Sequence, residues 1–359
     1  MIKKCCAMTV AILFCLSLFA ACAKRQEENT SQRSSLLPEP GTSSEQDDKT
    51  LKIACIYGSI TGEFWEIVYN GCMAALEELQ AGYGVEGYCV APAENTNVEQ
   101  QIELIKQAVE QEKVDGIVLS SMNAAQIGSF ITEYFQVDNW TPVILIDRSC
   151  NTDSDVIVSK VLSDTYAMGI EAGKQAARAV NGNGSYFCLG VLPDTPDWVD
   201  RSLGAMDYLT QNEPNMRQIG ETIYWMGQEG RTQEDQIAYI QKTVRSVSGE
   251  VCILPVTEGY TNTAVLALAE MSSERRQHTK IVGFDFSEDF YQLIVQEKVY
   301  ATIAQNPYLM GYRSTYYLLE YLLGEELQER IDIPYTMVTK ENLQEEAVQE
   351  YLVCMGISL

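Results

Sequence analysis

The first candidates for chemistry are Asp147 and Arg148, which close the run Pro142-Val143-Ile144-Leu145-Ile146-Asp147-Arg148. Ionised aspartate offers only acceptors, and arginine offers only donors in a planar fork. Side by side they suit neighbouring hydroxyls of a polyol. They equally suit each other as a local salt bridge. A second apolar run, Val282-Gly283-Phe284-Asp285, also ends in an aspartate, and Ala301-Thr302-Ile303-Ala304-Gln305 ends in an amide. Arg201 follows the run from Gly184 to Val191, near a predicted helix start. Tyr57-Gly58-Ser59 precedes Phe64 and Trp65, whose flat apolar faces suit the C–H side of a sugar. Each has a plainer reading. Phe64 and Trp65 fit as core packing of a helix, Asp285 as an N-cap, and Gln305 as the end of a strand.

All of these residues fall at or just after the carboxyl end of a predicted strand. Val143 to Ile146 has the unbroken apolar character of a strand buried on both faces, as in parallel sheets. The predicted strands of the first half are Leu51 to Tyr57, Gly84 to Val90, Asp115 to Leu119 and Val143 to Ile146. Helices alternate with them over Glu63 to Gln80, Ala124 to Phe135, and a stretch whose Val98, Ile102, Ile105 and Val109 mark one face. The alternation then restarts. Strands are expected at Val156 to Leu162, Gly184 to Val191, Glu221 to Trp225, Val251 to Pro255, Lys280 to Phe284 and Ala301 to Ala304. Repeated βα units of this size imply an α/β chain of two doubly wound, Rossmann-like lobes with mainly parallel sheets and right-handed crossovers. In such sheets ligands bind at the carboxyl ends of the strands.

The chain has 359 residues and a net charge of −25, so nucleic acid is an unsuitable partner. Lys3 and Lys4, an apolar run from Ala7 to Ala20, and Leu18-Phe19-Ala20-Ala21-Cys22 resemble a bacterial lipoprotein signal. On that reading residues 1–21 are the signal peptide and Cys22 carries the lipid. The rival readings are an ordinary secretory peptide and an uncleaved anchor, although the run is short for a membrane span. Residues 22–50 are rich in Ser, Glu, Gln and Thr and read as a disordered tether. Of 11 cysteines, Cys55, Cys72, Cys89, Cys150, Cys188, Cys252 and Cys354 lie beyond Cys22. They show no C-x-x-C spacing, and most read as small core hydrophobes. With one histidine and no ligand spacing, zinc is not expected.

From about Leu51 to Thr336 the chain resembles the periplasmic sugar-binding proteins of the ribose-binding type, which serve ABC importers. The resemblance rests on Val143 to Arg148, on Asp200-Arg201 with Gly204, on Val282 to Asp285, and on Thr302-Ile303-Ala304-Gln305-Asn306-Pro307. It implies a type I periplasmic binding protein fold, related to the effector domain of LacI-type repressors, with a three-stranded hinge. The first lobe would span 51–163 plus 306–334, and the second 164–305 plus 335–359. It implies a monomer that closes on a small-molecule sugar and presents it to membrane permease subunits, with no cofactor. Phe64 would stack on the ring, with Trp65 beside it or closing the other face. Asp147 and Arg148 would bind hydroxyls from one lobe, and Arg201, Asp285 and Gln305 from the other lobe and hinge. Gly62, Ser121 and Thr257 replace asparagines of the ribose pattern. Losing three amides enlarges the site, and each sugar hydroxyl left unpaired costs about 1–3 kcal/mol. A sugar bulkier than ribose, or with different hydroxyl stereochemistry, is therefore expected. Tyr57, Trp198 and Trp225 are candidates for shaping that choice.

Three rival functions stand beside this one. A LacI-type repressor would need an N-terminal DNA-binding helix-turn-helix where this chain has an export-like segment. A receptor presenting its ligand to a sensor kinase has the same sequence signature as a transporter component. An enzyme lacks support: there is no Ser/His/Asp set, phosphate loop or metal cluster, and His278 sits in a polar stretch. Asn151 to Asp155 lacks the central glycine and closing glutamate of a calcium loop.

Overall fold

A computed structural model of the protein describes residues 50–59, 62–93, 97–193 and 195–357. The export-like segment, Cys22 and nearly all of the expected tether lie outside the described residues. The chain begins with β1 (Lys52–Ile56), α1 (Glu63–Tyr83), β2 (Glu86–Val90), α2 (Val98–Glu110), β3 (Gly116–Leu119), α3 (Ala124–Tyr134), β4 (Val143–Ile146) and β5 (Ile157–Ser163). It continues through α4 (Thr165–Ala179), β6 (Gly184–Gly190), α5 (Pro196–Asn212), β7 (Met216–Gln218), β8 (Tyr224–Trp225), α6 (Gln233–Arg245), β9 (Val251–Pro255) and α7 (Glu258–Ala269). Then come α8 (Ser273–Gln277), β10 (Thr279–Phe284), α9 (Glu288–Val295), β11 (Ala301–Ala304), α10 (Pro307–Leu322), β12 (Arg330–Ile333), β13 (Thr336–Thr339) and α11 (Glu346–Cys354).

These elements form two compact units. Of the described residues, the first comprises those from 50 through Ser163, then Asn306–Ile333 and 350–357; the second comprises those of 164–305 and Pro334–Gln349. The expected bounds put 335–359 in the second lobe, whereas residues 350–357 group with the first.

In the first unit six strands run in the order β12-β5-β4-β3-β1-β2, and every pairing is parallel. Alternate residues of β1 face opposite sides. Ile53 and Cys55 enter the core shared with α1 and α10, while Ala54 and Ile56 enter the core shared with α2 and α3. That double burial is why β1, β3 and β4 read as nearly continuous apolar runs. The second unit has the order β13-β11-β10-β9-β6-β7, with β8 also on β6. Only β13, beside β11, runs antiparallel. The Glu221 to Trp225 strand expected from sequence shrinks to Tyr224–Trp225, and Met216–Gln218 supplies a further short strand. The seven cysteines of the described residues are free thiols, six of them buried and Cys89 half-buried. No described helix is long and apolar enough to cross a membrane.

Each unit joins its paired helices through facing glycines. In the first, a Cβ on Gly71 of α1 would fall 2.1 Å from the Tyr308 carbonyl oxygen of α10, and one on Gly311 would fall 2.3 Å from that of Val68. In the second, a Cβ on Gly204 of α5 would fall 2.2 Å from the Tyr166 carbonyl oxygen of α4, and one on Gly169 would fall 2.4 Å from that of Arg201. Backbone atoms cannot yield as a flexible side chain does, so the helices would have to separate. We predict that Gly204→Ala lowers stability by about 1–3 kcal/mol, the usual cost of overpacking, in a urea titration. An unchanged midpoint would mean that α4 and α5 are not locked at this contact.

Candidate functional site

Helix starts crowd the carboxyl edge of each sheet, so many polar residues there act as caps. Asn123, Thr257, Ser287 and Asn306 accept hydrogen bonds from the backbone N–H groups of Gln126, Tyr260, Phe290 and Leu309. Each satisfies an orphan donor of its helix. Asp147 and Asp285 are not among these caps. Both stand one residue beyond a strand with positive φ, 58° and 68°, a region that aspartate tolerates better than most residues. Both continue the sheet ladder from that position. Asp147 N–H donates to the Val161 carbonyl oxygen at 3.3 Å, and Asp285 N–H donates to that of Ile303 at 3.3 Å.

In the first unit the carboxyl ends of β1, β3 and β4 lie in adjacent positions along one edge. Three candidate groups therefore line up there: Tyr57 to Ser59, Ser120 to Met122, and Asp147 with Arg148. Arg148 Nε lies 3.6 Å from Asp147 Oδ2, with the arginine side chain 46% exposed and the aspartate 14%. Ser121 is buried, and its hydroxyl has no hydrogen-bond partner in the structure. The aromatics divide. Trp65 belongs to the core, with its ring centroid 6.2 Å from that of Tyr57. Phe64 is half-buried and meets Trp65 edge-on at 5.2 Å. Tyr57 is also a core residue. Its hydroxyl donates to Cys89 Sγ at 2.9 Å, and burial raises its phenol pKa well above the ordinary value. Phe64 thus keeps accessible ring surface, whereas Trp65 and Tyr57 support it from the core.

In the second unit α5 begins at Pro196 rather than at Arg201, so Arg201 lies inside the helix and its side chain is only 3% exposed. Its Nη1 donates to the Val256 carbonyl oxygen at 2.8 Å and to Asp285 Oδ1 at 3.1 Å. The guanidinium lies 5.0 Å from the Phe284 ring centroid, and the buried Nε has no partner in the structure. Asp285 is the hub. Its Oδ1 also accepts from Gln305 Nε2 at 3.4 Å, its Oδ2 accepts from Glu258 N–H at 3.3 Å, and its carbonyl oxygen accepts from the Thr302 hydroxyl at 2.7 Å. The structure therefore brings Arg201, Asp285 and Gln305 together. Thr257 lies at the same edge with its hydroxyl engaged as the α7 cap. Trp198 and Trp225 are half-exposed on α5 and β8. Sequence reasoning missed the roles of Thr302 and Glu258, because nothing in their local pattern marks them as holding an aspartate from the neighbouring strand or at a helix start.

A family model of the periplasmic binding protein domain matches residues 53–326. The chain belongs to that family. A relative, the D-apiose import binding protein of Paraburkholderia graminis, is 27% identical over 166 residues, 46% of this chain and 49% of that protein. The match thus spans about half of that relative's length. Solved structures share the fold. A carbohydrate transporter solute binding protein from Agrobacterium radiobacter, in complex with D-arabinose, superposes with TM-score 0.67 at 21% identity, covering 84% of this chain and 99% of that one. An arabinose-binding protein from Geobacillus stearothermophilus superposes with TM-score 0.70 at 18% identity, covering 82% and 98%.

The two strand-end aspartates differ in energetics. Arg201 is buried against Asp285, so removing the carboxylate leaves a buried cation short of compensation, typically 3–5 kcal/mol. Arg148 is 46% exposed, so its ion pair with Asp147 is worth at most about 1 kcal/mol. We predict that Asp285→Asn, which keeps the tolerance for positive φ, costs about 3 kcal/mol in chemical denaturation. Asp147→Asn should cost less, because the arginine it leaves behind is exposed to water. Equal losses for the two variants would contradict this assignment.

Proposed function

We propose that the protein is an extracytoplasmic solute-binding protein that captures a sugar and delivers it to an ABC importer, and that it is not an enzyme. One observation carries the reading. In a chain of this family, each unit presents an arginine and an aspartate at the carboxyl edge of its sheet. Asp147 with Arg148 and Arg201 with Asp285 supply charged acceptors and donors of the kind that hold vicinal hydroxyls. Phe64 would cover a C–H face, and the Ser121 hydroxyl and Arg201 Nε are further groups that a polyol could satisfy. Gln305 would add an amide. Trp65 and Thr257 would help by holding Phe64 and the α7 start in place. Closure of the two units on the sugar would trap it, to the extent that the sugar prefers the closed form.

D-apiose, D-arabinose, D-fucose and D-allose, sugars named for relatives of this chain, form the first panel to test by calorimetric titration. At least one should bind saturably. Arg148→Ala should weaken that binding at least about tenfold, since a hydrogen bond to a charged group is worth about 1.5–3 kcal/mol, and should leave the melting temperature nearly unchanged. If no sugar, nucleoside or polyol binds the unsubstituted protein, the reading fails.

We further propose that Cys22 carries a lipid that anchors the protein to the outer face of the cell membrane. Each buried acyl CH₂ adds about 0.8 kcal/mol of membrane affinity, so several chains make a firm tether. Cys22→Ser should abolish incorporation of labelled fatty acid and move the protein out of the membrane fraction. Unchanged labelling would sink the anchor assignment.

A further inference from the structure

We infer that Gln101 is a positioning residue: its side chain clamps the loop after β1 to the loop after β3 and so sets the first unit's half of the sugar site. The inference deepens the sugar-binding reading and rests on it for its functional consequence. Gln101 lies on α2, is fully buried, and shares the inward face of the helix with Ile105 and Ala108. The sequence pattern had marked Val98, Ile102, Ile105 and Val109 as that face; Val98, Ile102 and Val109 are only half-buried.

Its amide is fully used by main chain. Nε2 donates to the Tyr57 carbonyl oxygen at 3.0 Å and to the Ser120 carbonyl oxygen at 2.8 Å, and Oε1 accepts from Met122 N–H at 3.0 Å. A primary amide has two N–H donors and one carbonyl, and all three functions meet a partner here. Glutamate lacks the donors, and leucine lacks all three functions.

Topology explains why such a clamp is needed. β1 pairs with β2 on one side and β3 on the other, so β1 and β3 flank the point where strand order reverses. The chain leaves β1 for α1, which packs into one core, and leaves β3 for α3, which packs into the core on the opposite face. The last ladder hydrogen bond between them runs from Ser120 N–H to the Ile56 carbonyl oxygen at 3.0 Å, and beyond it the two loops diverge. Gln101 supplies the missing link. The loops also touch at Gly58, where a Cβ would fall 3.2 Å from Met122 Cγ. One loop leads to Phe64 and the other carries Ser121, so the clamp fixes the relative placement of two proposed sugar contacts.

The test compares the full-length protein with Gln101→Leu, Gln101→Glu and Ile105→Ala by hydrogen exchange and by titration with the tightest-binding sugar among D-apiose, D-arabinose, D-fucose and D-allose. Ile105→Ala controls for lost core packing one turn along the same helix. Gln101→Leu should speed exchange at least tenfold at the Met122 amide and across residues 57–59, and weaken sugar binding at least tenfold. Ile105→Ala should lower the melting temperature with affinity held within twofold. Gln101→Glu should behave like leucine at pH 7.5 and regain affinity at pH 5, where a protonated carboxyl restores one donor. That pH pair also decides the matter if the leucine variant does not fold. Unchanged loop exchange in both Gln101 variants, or affinity losses that merely follow stability across all three variants, would overturn the inference. If the unsubstituted protein takes up no sugar, the sugar-binding reading falls, and the exchange comparison still decides the clamp.

Discussion

The arrangement of the candidate residues in both units depends on one backbone device: an aspartate held at positive φ one residue past a buried parallel strand. Asp147 and Asp285 both adopt it, and both keep their N–H in the ladder with the neighbouring strand. A non-glycine residue in that region carries strain of order 1–3 kcal/mol, which persists only where surrounding contacts over-determine it. Around Asp285 those contacts are explicit, in Arg201, Glu258, Thr302 and Gln305. Asp147 is itself the less exposed of the two aspartates, and what differs is its arginine, 46% exposed at Arg148 against 3% at Arg201. One unit therefore pairs its aspartate with a buried arginine and the other with an exposed one, although the two are built on the same turn.

The parallel sheets make this device useful. With neighbouring strands running together, residues far apart in sequence arrive side by side at one edge. Glycine-mediated helix contacts then fix what the edge carries. Gly204 seats α5 against α4, and α5 carries Arg201. Gly71 and Gly311 do the same for α1, which carries Phe64, and α10. Packing, strain and the placement of the candidate residues are thus coupled through a few close backbone approaches.

Much of this was legible in the sequence. Strand runs such as Val143–Ile146, Val251–Pro255 and Ala301–Ala304 are legible to the residue because double burial leaves no charged residue inside them. The convergence of Arg201, Asp285 and Gln305 was legible too, since all lie near strand ends that a parallel sheet must align. Other features depend on tertiary context. Aromatic type alone cannot separate Phe64, which keeps exposed surface, from Trp65 in the core. Thr257 and Asp285 look alike as polar residues after a strand, yet one caps a helix and the other holds an arginine. Met216–Gln218 and Arg330–Ile333 are short, polar edge strands whose pattern carries no alternation strong enough to mark them. Gln101 escaped notice because a polar residue interrupts the apolar stripe by which a helix face is recognised.

The most direct measurement is a crystal structure of the protein with its tightest-binding sugar. The account predicts that Asp147 or Arg148 and Asp285 or Arg201 hydrogen-bond hydroxyls of the same sugar, with a face of its ring on Phe64. A sugar bound elsewhere, or one touching neither strand-end aspartate nor its arginine, would contradict it.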